Sequence, residues 1–153
     1  MIVVSDTSPI TALLSVGQVD LLHSLYGNVV IPPAVDAELR AYHAELPDFI
    51  QVMPVQTNAL LIRLERELDQ GEAEAIVLAK TIQADLLLMD EMLGRRAAQK
   101  EHLPVIGLMG VLLLAKKKGH ISSLGSLIDR LESEAGFYLS RSVKERVLCA
   151  AGE

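Results

Sequence analysis

The chain has no tryptophan, and its aromatics amount to three tyrosines and two phenylalanines. A core must therefore be built from aliphatic side chains. Base-stacking platforms of the RNA-recognition or OB type need exposed aromatics, so they are not expected. A single cysteine, Cys149, excludes an intramolecular disulfide and any cysteine-rich zinc site; it reads as a small packed side chain. Long hydrophobic runs are missing too. The longest apolar stretch, Leu103 to Ala115, contains Pro104, Gly107 and Gly110 and falls short of the roughly 20 residues that span a bilayer. Asp6 and Ser8–Pro9 interrupt the first apolar run, so no signal peptide is read. The expectation is a cytoplasmic protein with no membrane association. No G-x-S-x-G, P-loop or G-x-G-x-x-G pattern occurs, and His23, His43, His102 and His120 show no paired ligand spacing. Positive charge is also scarce: Lys and Arg number 14 against 20 Asp and Glu, for a net charge of −6. The overall field therefore repels nucleic acid, and any such role needs a local basic patch or bound cations.

What the chain does have is aliphatic bulk in a one-domain length. Apolar residues make up 50% of 153 positions and charged residues 22%, enough for a core and against disorder. No linker or repeat divides residues 1–153. Short β-rich runs alternate with helical patterns: Ile2–Ser5, Asn28–Ile31, Leu86–Met89 and Pro104–Ile106 read as strands, and residues 47–55 read as a loop that can hold a short strand near Gln51–Met53. Helices are expected after Ser8, which can cap with Pro9 at the first position, over Val19–Leu25 and Pro33–Tyr42, from Thr57 or Asn58 to Leu68, and over Glu72–Ile82, Glu91–Lys100, Gly107–Lys118, Ser123–Ser133 and Ser142–Ala150. The 3.6-residue spacing of Val35, Leu39 and Tyr42 marks a buried stripe. Crossovers too long for hairpins predict an α/β fold, a mostly parallel central sheet with helices on both faces. Ligands of such sheets bind beyond the carboxyl ends of the strands.

Asp6 and Asp90 directly follow predicted strands. Each alone also reads as a turn or cap residue. Glu72 makes a D-x-x-E arrangement with Asp69 that resembles a capping box, and Glu74 lies in the same turn, among small side chains that let the helix approach the sheet. Glu38 sits on the rim of the Val35–Leu39 stripe, where a solvated glutamate is the ordinary alternative. Taken together, two acids at strand ends and two on flanking helices form a set that repels itself unless a cation sits among them. Oxygen donors without His or Cys select Mg²⁺ or Mn²⁺, and such ions suit phosphodiester hydrolysis without a protein nucleophile.

Here the residues resemble a known family. Val4-Ser5-Asp6-Thr7-Ser8-Pro9-Ile10, Val29-Val30-Ile31-Pro32-Pro33-Ala34-Val35 leading to Glu38-Leu39, Gly71-Glu72-Ala73-Glu74-Ala75-Ile76, and Leu87-Leu88-Met89-Asp90-Glu91 are similar, in order and spacing, to the four acidic segments of the PIN-domain superfamily and its VapC-like toxins. Gly94-Arg95-Arg96 and Val105-Ile106-Gly107 through Lys116 resemble a PIN-like subfamily without an assigned function. The resemblance implies a metal-dependent ribonuclease that is the toxin of a toxin–antitoxin pair. Its expected partners are an RNA substrate, a small cognate antitoxin protein and a second copy in a homodimer. It also implies that Asp6, Glu38, Glu72 and Asp90 are catalytic and hold the metal, with Thr7, Ser8, Glu74, Glu91 and Arg95 in supporting or substrate-binding places. Glu72 stands where many members carry Asp, and Leu88 where many carry Ser or Thr. Leu93-Gly94 stands where a further acid is common, leaving Glu91 as its substitute.

The Leu88 position motivates an alternative, a non-catalytic PIN-like module whose acidic pocket engages a basic partner peptide. A phosphatase or phospho-receiver using Asp6 lacks a lysine partner. Arg95 and Arg96, with Lys100 a turn further on, read either as a solvated helix face or as phosphate ligands. Lys116–Lys118 read first as neutralising a helix end.

Overall fold

The computed structural model describes residues 1–153. Five short strands form one parallel sheet: β1 (Val3–Ser5), β2 (Val29–Ile31), β3 (Ile50–Val52), β4 (Leu86–Leu88) and β5 (Val105–Ile106), in the order β3-β2-β1-β4-β5. β1 lies at the centre and pairs with β4 in the register Val3–Leu86, Val4–Leu87 and Ser5–Leu88. The chain runs outward from β1 through β2 to β3, then returns to the other side of β1 to lay down β4 and β5. The order thus reverses between β1 and β4, the place where open parallel sheets leave a crevice at the carboxyl ends of their strands.

Alternation along the strands builds two cores. Val3, Val29, Ile31 and Leu88 enter the larger one with residues of α1 (Thr7–Ser15), α2 (Asp20–Tyr26), α3 (Pro33–Tyr42), α7 (Leu108–Lys117), α8 (Leu124–Ala135) and α9 (Arg141–Ala150). Val4, Leu87 and Met89 face the smaller one, with α4 (Ala59–Leu64), α5 (Gln70–Thr81) and α6 (Met92–Lys100). Helices therefore cover both faces, and the continuous apolar run at β4 is buried on both sides because each face has its own core. Gly71 through Ala79 of α5 are all buried. A helix enclosed on every side must be slim, and the alanines at 73, 75 and 79 make it so.

Some local expectations change. α1 begins at Thr7 with Asp6 at the N-cap, so Ser8 does not cap it and Pro9 is its third residue. The chain turns into α1 directly off the strand, before serine can act. α4 stops at Leu64, short of Leu68. Tyr42 is 84% exposed: it closes the last turn of α3, beyond the reach of the Val35–Leu39 stripe. Cys149 is exposed as well, since α9 buries only Val147 fully. No helix is long and apolar enough to cross a membrane.

Candidate active site at the carboxyl edge of the sheet

Asp6 is fixed from both sides by backbone. Its N–H donates to the Leu88 carbonyl at 2.9 Å, extending the β1–β4 ladder by one step. Its own carbonyl accepts from the buried Ser5 Oγ at 2.8 Å, and α1 starts at the next residue. Asp90 leaves β4 on the adjacent strand. It does not cap α6, whose N-cap is Glu91 with its side chain unbonded. Its Oδ1 instead accepts from the Leu108 N–H at 2.7 Å, at the positive end of α7 where a carboxylate is favoured.

The helical acids approach from the side. Glu38 on α3 accepts a hydrogen bond from Thr7 Oγ1. Asp69 caps α5, its Oδ1 accepting from the Glu72 N–H at 2.8 Å, and so places Glu72 in the first turn. Glycines clear the way for these side chains. A Cβ on Gly71 would lie 2.7 Å from Glu38 Oε1, one on Gly94 2.6 Å from Glu72 Oε2, and one on Gly107 3.0 Å from Asp90 Oδ1.

Asp6, Glu38, Asp69, Glu72 and Glu91 line one cavity of about 420 Å³ together with Thr7 and Ser8; Leu68, Met92 and Leu93 supply apolar wall. The acids disturb one another. Burial first, then the charges of Asp69, Glu38 and Asp90, push Asp6 up to about 7 against the counter-pull of the Thr7 amide. Burial, the Asp69 carboxylate beside it and the charge of Asp6 push Glu72 up to about 8. Burial also raises Asp90, opposed by the Leu108 amide and the Arg95 charge. Glu72 Oε2 and Asp90 Oδ2 are buried without any hydrogen-bond partner. A buried carboxylate oxygen left this way costs free energy unless something else, such as a cation, satisfies it.

The structure does not bring every expected residue to one place. Asp90 and Arg95 line a neighbouring cavity of about 330 Å³, although the Asp90 charge still reaches Asp6. No three His, Cys, Asp or Glu side chains stand together as a finished chelate; Thr7 and Leu108 hold two of the acids toward protein donors instead. Glu74 turns away. It accepts from the Ala34 N–H at 3.0 Å and from Gln70 Nε2 at 3.1 Å, serving as an N-terminal cap supplied from α5 to α3, whose own N-cap, Pro32, has no side-chain donor or acceptor to offer. It therefore braces the helix that carries Glu38 and does not support Glu72. Asp69 is the residue that sequence reasoning missed, because its capping role hides its place in the cavity.

The donor set is carboxylate oxygen throughout, on rigid elements, with two oxygens unsatisfied. That fits a hard divalent ion such as Mg²⁺ or Mn²⁺, which takes few protein ligands and keeps its waters. The family model DUF3368, described as a PIN domain, matches residues 2–153. Among solved structures the chain is similar to a PilT N-terminus domain protein from the hyperthermophilic archaeon Sulfolobus solfataricus P2. The two are 19% identical with a TM-score of 0.59, over 75% of this chain and 93% of that one; at that identity the likeness shows the fold. Comparison with curated proteins finds no match.

Proposed function

This chain belongs to the PIN-domain family, whose members are generally nucleases, and from that premise we propose that it is a Mg²⁺- or Mn²⁺-dependent endoribonuclease. One observation carries the reading. Asp6, Glu38, Asp69 and Glu72 surround a single cavity at the reversal point of the sheet, with unsatisfied carboxylate oxygen on Glu72 and on the adjoining Asp90. Asp6, Glu38 and Glu72 would hold the metal, with Asp90 approaching from the adjoining strand. A bound ion lowers the pKa of a water and offsets charge on a phosphoryl group.

The chain's own groups set the rest. The ladder bond from Leu88 fixes where Asp6 stands. The Thr7 hydroxyl holds the Glu38 carboxylate at the cavity wall. Glu91, exposed and without a capping bond, stands at the cavity mouth as a substitute for the further family acid, whose own place Leu93-Gly94 takes. Met92 and Leu93, 64% and 65% exposed, form an apolar lip that favours a nucleoside over bulk water.

The proposal extends to the toxin role, with a small antitoxin protein covering the cavity and a homodimer as the working form. The VapC-like order of the motifs supports that extension. Purified protein should cleave RNA only with Mg²⁺ or Mn²⁺, and Asp6→Asn and Asp90→Asn should each abolish cleavage while the fold persists. Equal cleavage by both variants and the parent would identify a contaminant and end the proposal. A second reading, an acidic pocket that binds a basic peptide without hydrolysis, is favoured by Leu88, which lies in the core and offers the edge no hydroxyl. Calorimetry showing tight binding of a basic peptide and none of Mn²⁺ would select it.

A further inference from the structure

The cavity that Asp90 and Arg95 share has a different character from the acidic one. Ile106 and Met109 enter it from β5 and α7, and Phe137 and Leu139 from the segment between α8 and α9. Its volume of about 330 Å³ lies at the lower end of the range for small organic groups. The walls are apolar, and the polar atoms come from one carboxylate and one guanidinium. Glycine keeps it open: a Cβ on Gly107 would lie 2.8 Å from Arg95 Nη1, and one on Gly110 2.5 Å from Ile106.

Arg95 stands out among the cations near the edge. It is half-buried, it forms none of the chain's ion pairs, and no side-chain hydrogen bond uses its donors. Arg40, Arg63, Arg130 and Arg141 each pair with a carboxylate, and Arg66, Arg96 and Arg146, which also form no ion pair, are exposed to solvent. An unspent planar fork inside an apolar cavity, with a phenylalanine ring among the walls, matches a flat heterocycle that presents acceptors along one edge. Asp90 ties the cavity to the acidic edge, since it lies two residues past Leu88, whose carbonyl accepts the Asp6 N–H at 2.9 Å. A chain held at that edge by a phosphate can therefore place an adjoining base here.

We propose that the Asp90–Arg95 cavity is a nucleobase subsite that selects the nucleotide beside the scissile phosphate, with guanine preferred because O6 and N7 match the Arg95 fork. Phe137 stacks on the base and Arg95 reads its edge. This specificity rests on the nuclease reading above only for its link to cleavage; the binding preference stands independently.

The test uses pentaribonucleotides UUNUU, with N each of the four bases, bound to the full-length wild-type protein in Ca²⁺ in place of Mg²⁺ and followed by fluorescence anisotropy. Cut positions made by the wild-type enzyme in Mn²⁺ are mapped in parallel. Guanine at the centre should bind at least about 5-fold tighter than the other bases, and cuts should cluster beside guanine. Arg95→Lys keeps the charge but not the fork, so it should erase the preference while retaining overall affinity. Phe137→Ala should weaken all four oligonucleotides by about 5-fold or more. Because Arg95→Lys removes no packed apolar group, it stays informative even where Phe137→Ala unfolds. Equal affinities for the four bases, or a preference that survives Arg95→Lys, overturns the subsite. Guanine preference without any cleavage by the wild type refutes the nuclease reading and leaves the subsite standing; cleavage indifferent to base does the reverse.

Discussion

Two carboxylates of this chain sit beside helix N-termini and meet opposite fates. Glu153 accepts from the Leu124 N–H at 2.6 Å and the Gly125 N–H at 3.0 Å, with Lys116 Nζ at 3.2 Å. The two amides, with Lys116 assisting, draw it down to about 2. Glu72 lies in the first turn of α5, where the dipole should also favour charge. Burial and its acidic neighbours push it up to about 8 instead, and one of its oxygens has no partner. The helix end is a weak term, worth about 0.3–1 kcal/mol at a surface. Desolvation and crowding by like charge are larger, so the neighbourhood decides. Glu153 is a finished structural clamp, whereas the Asp6–Glu72 edge leaves a buried carboxylate oxygen without a partner.

Substitutions that remove charge should separate the two ends. The largest effect is expected from Asp6→Asn: metal-dependent RNA cleavage falls at least about 100-fold, while thermal melting of the metal-free protein at pH 8 stays level or rises because a crowded buried charge is gone. A fall in both would mean that Asp6 is structural. Acidity should divide the ends as well. Asp6 and Glu72 are raised from 3.8 and 4.5 to about 7 and about 8, so the folded state holds those protons more tightly than the unfolded chain does. Their contribution is fully present below about pH 4 and is lost as pH rises through 7 to 8, on the order of a few kcal/mol in the metal-free protein. Saturating Mg²⁺ should offset that loss. Glu153, lowered from 4.5 to about 2, acts in the other direction: its contribution is present above 4.5 and disappears as pH falls through 2. Melting curves from pH 3 to 9, with and without Mg²⁺, check both signs.

Smaller effects probe the supports. Glu74→Ala strips the Ala34 N–H of its buried acceptor and should cost about 1–3 kcal/mol in urea unfolding. Because α3 carries Glu38, cleavage should fall along with stability. Gly94→Ala puts a methyl 2.6 Å from Glu72 Oε2 and 2.5 Å from Met89 Sδ, both ends of flexible side chains. The fold should survive while kcat drops by about 10-fold; unchanged kcat would show that Glu72 does not need its present position. Glu153→Gln should lower the melting temperature slightly and leave cleavage untouched.

The fold was largely legible in the sequence because the strands are short runs rich in β-branched residues or leucine with a helical pattern behind each, and the long crossovers leave a parallel sheet as the simplest solution. Asp6 and Asp90 were legible as strand-end acids for the same reason. Side-chain direction was less so. Glu72 and Glu74 share a turn, yet two residues advance a helix by about 200°, so they cannot face one cavity; that arithmetic was available and separates them. Asp69 could be read as a cap, but the other acid beside it, Asp6, stands just past a strand end more than sixty positions away. Asp90 shows the same limit: its place at the strand end was clear, but its bond to Leu108 and its opening toward Arg95 depend on how α7 leaves β5. The glycines at 71, 94 and 107 were the unused signal, each standing where a carboxylate passes.

The central claim is that these acids hold protons only until a divalent ion displaces them. Titration calorimetry with Mn²⁺ near pH 6.5, repeated in buffers of different ionisation enthalpy, measures binding and proton release together. The account predicts saturable binding with release of about one proton or more, and loss of both in Asp6→Asn. Absence of Mn²⁺ binding by the parent, or binding that Asp6→Asn leaves intact and proton-neutral, would contradict it.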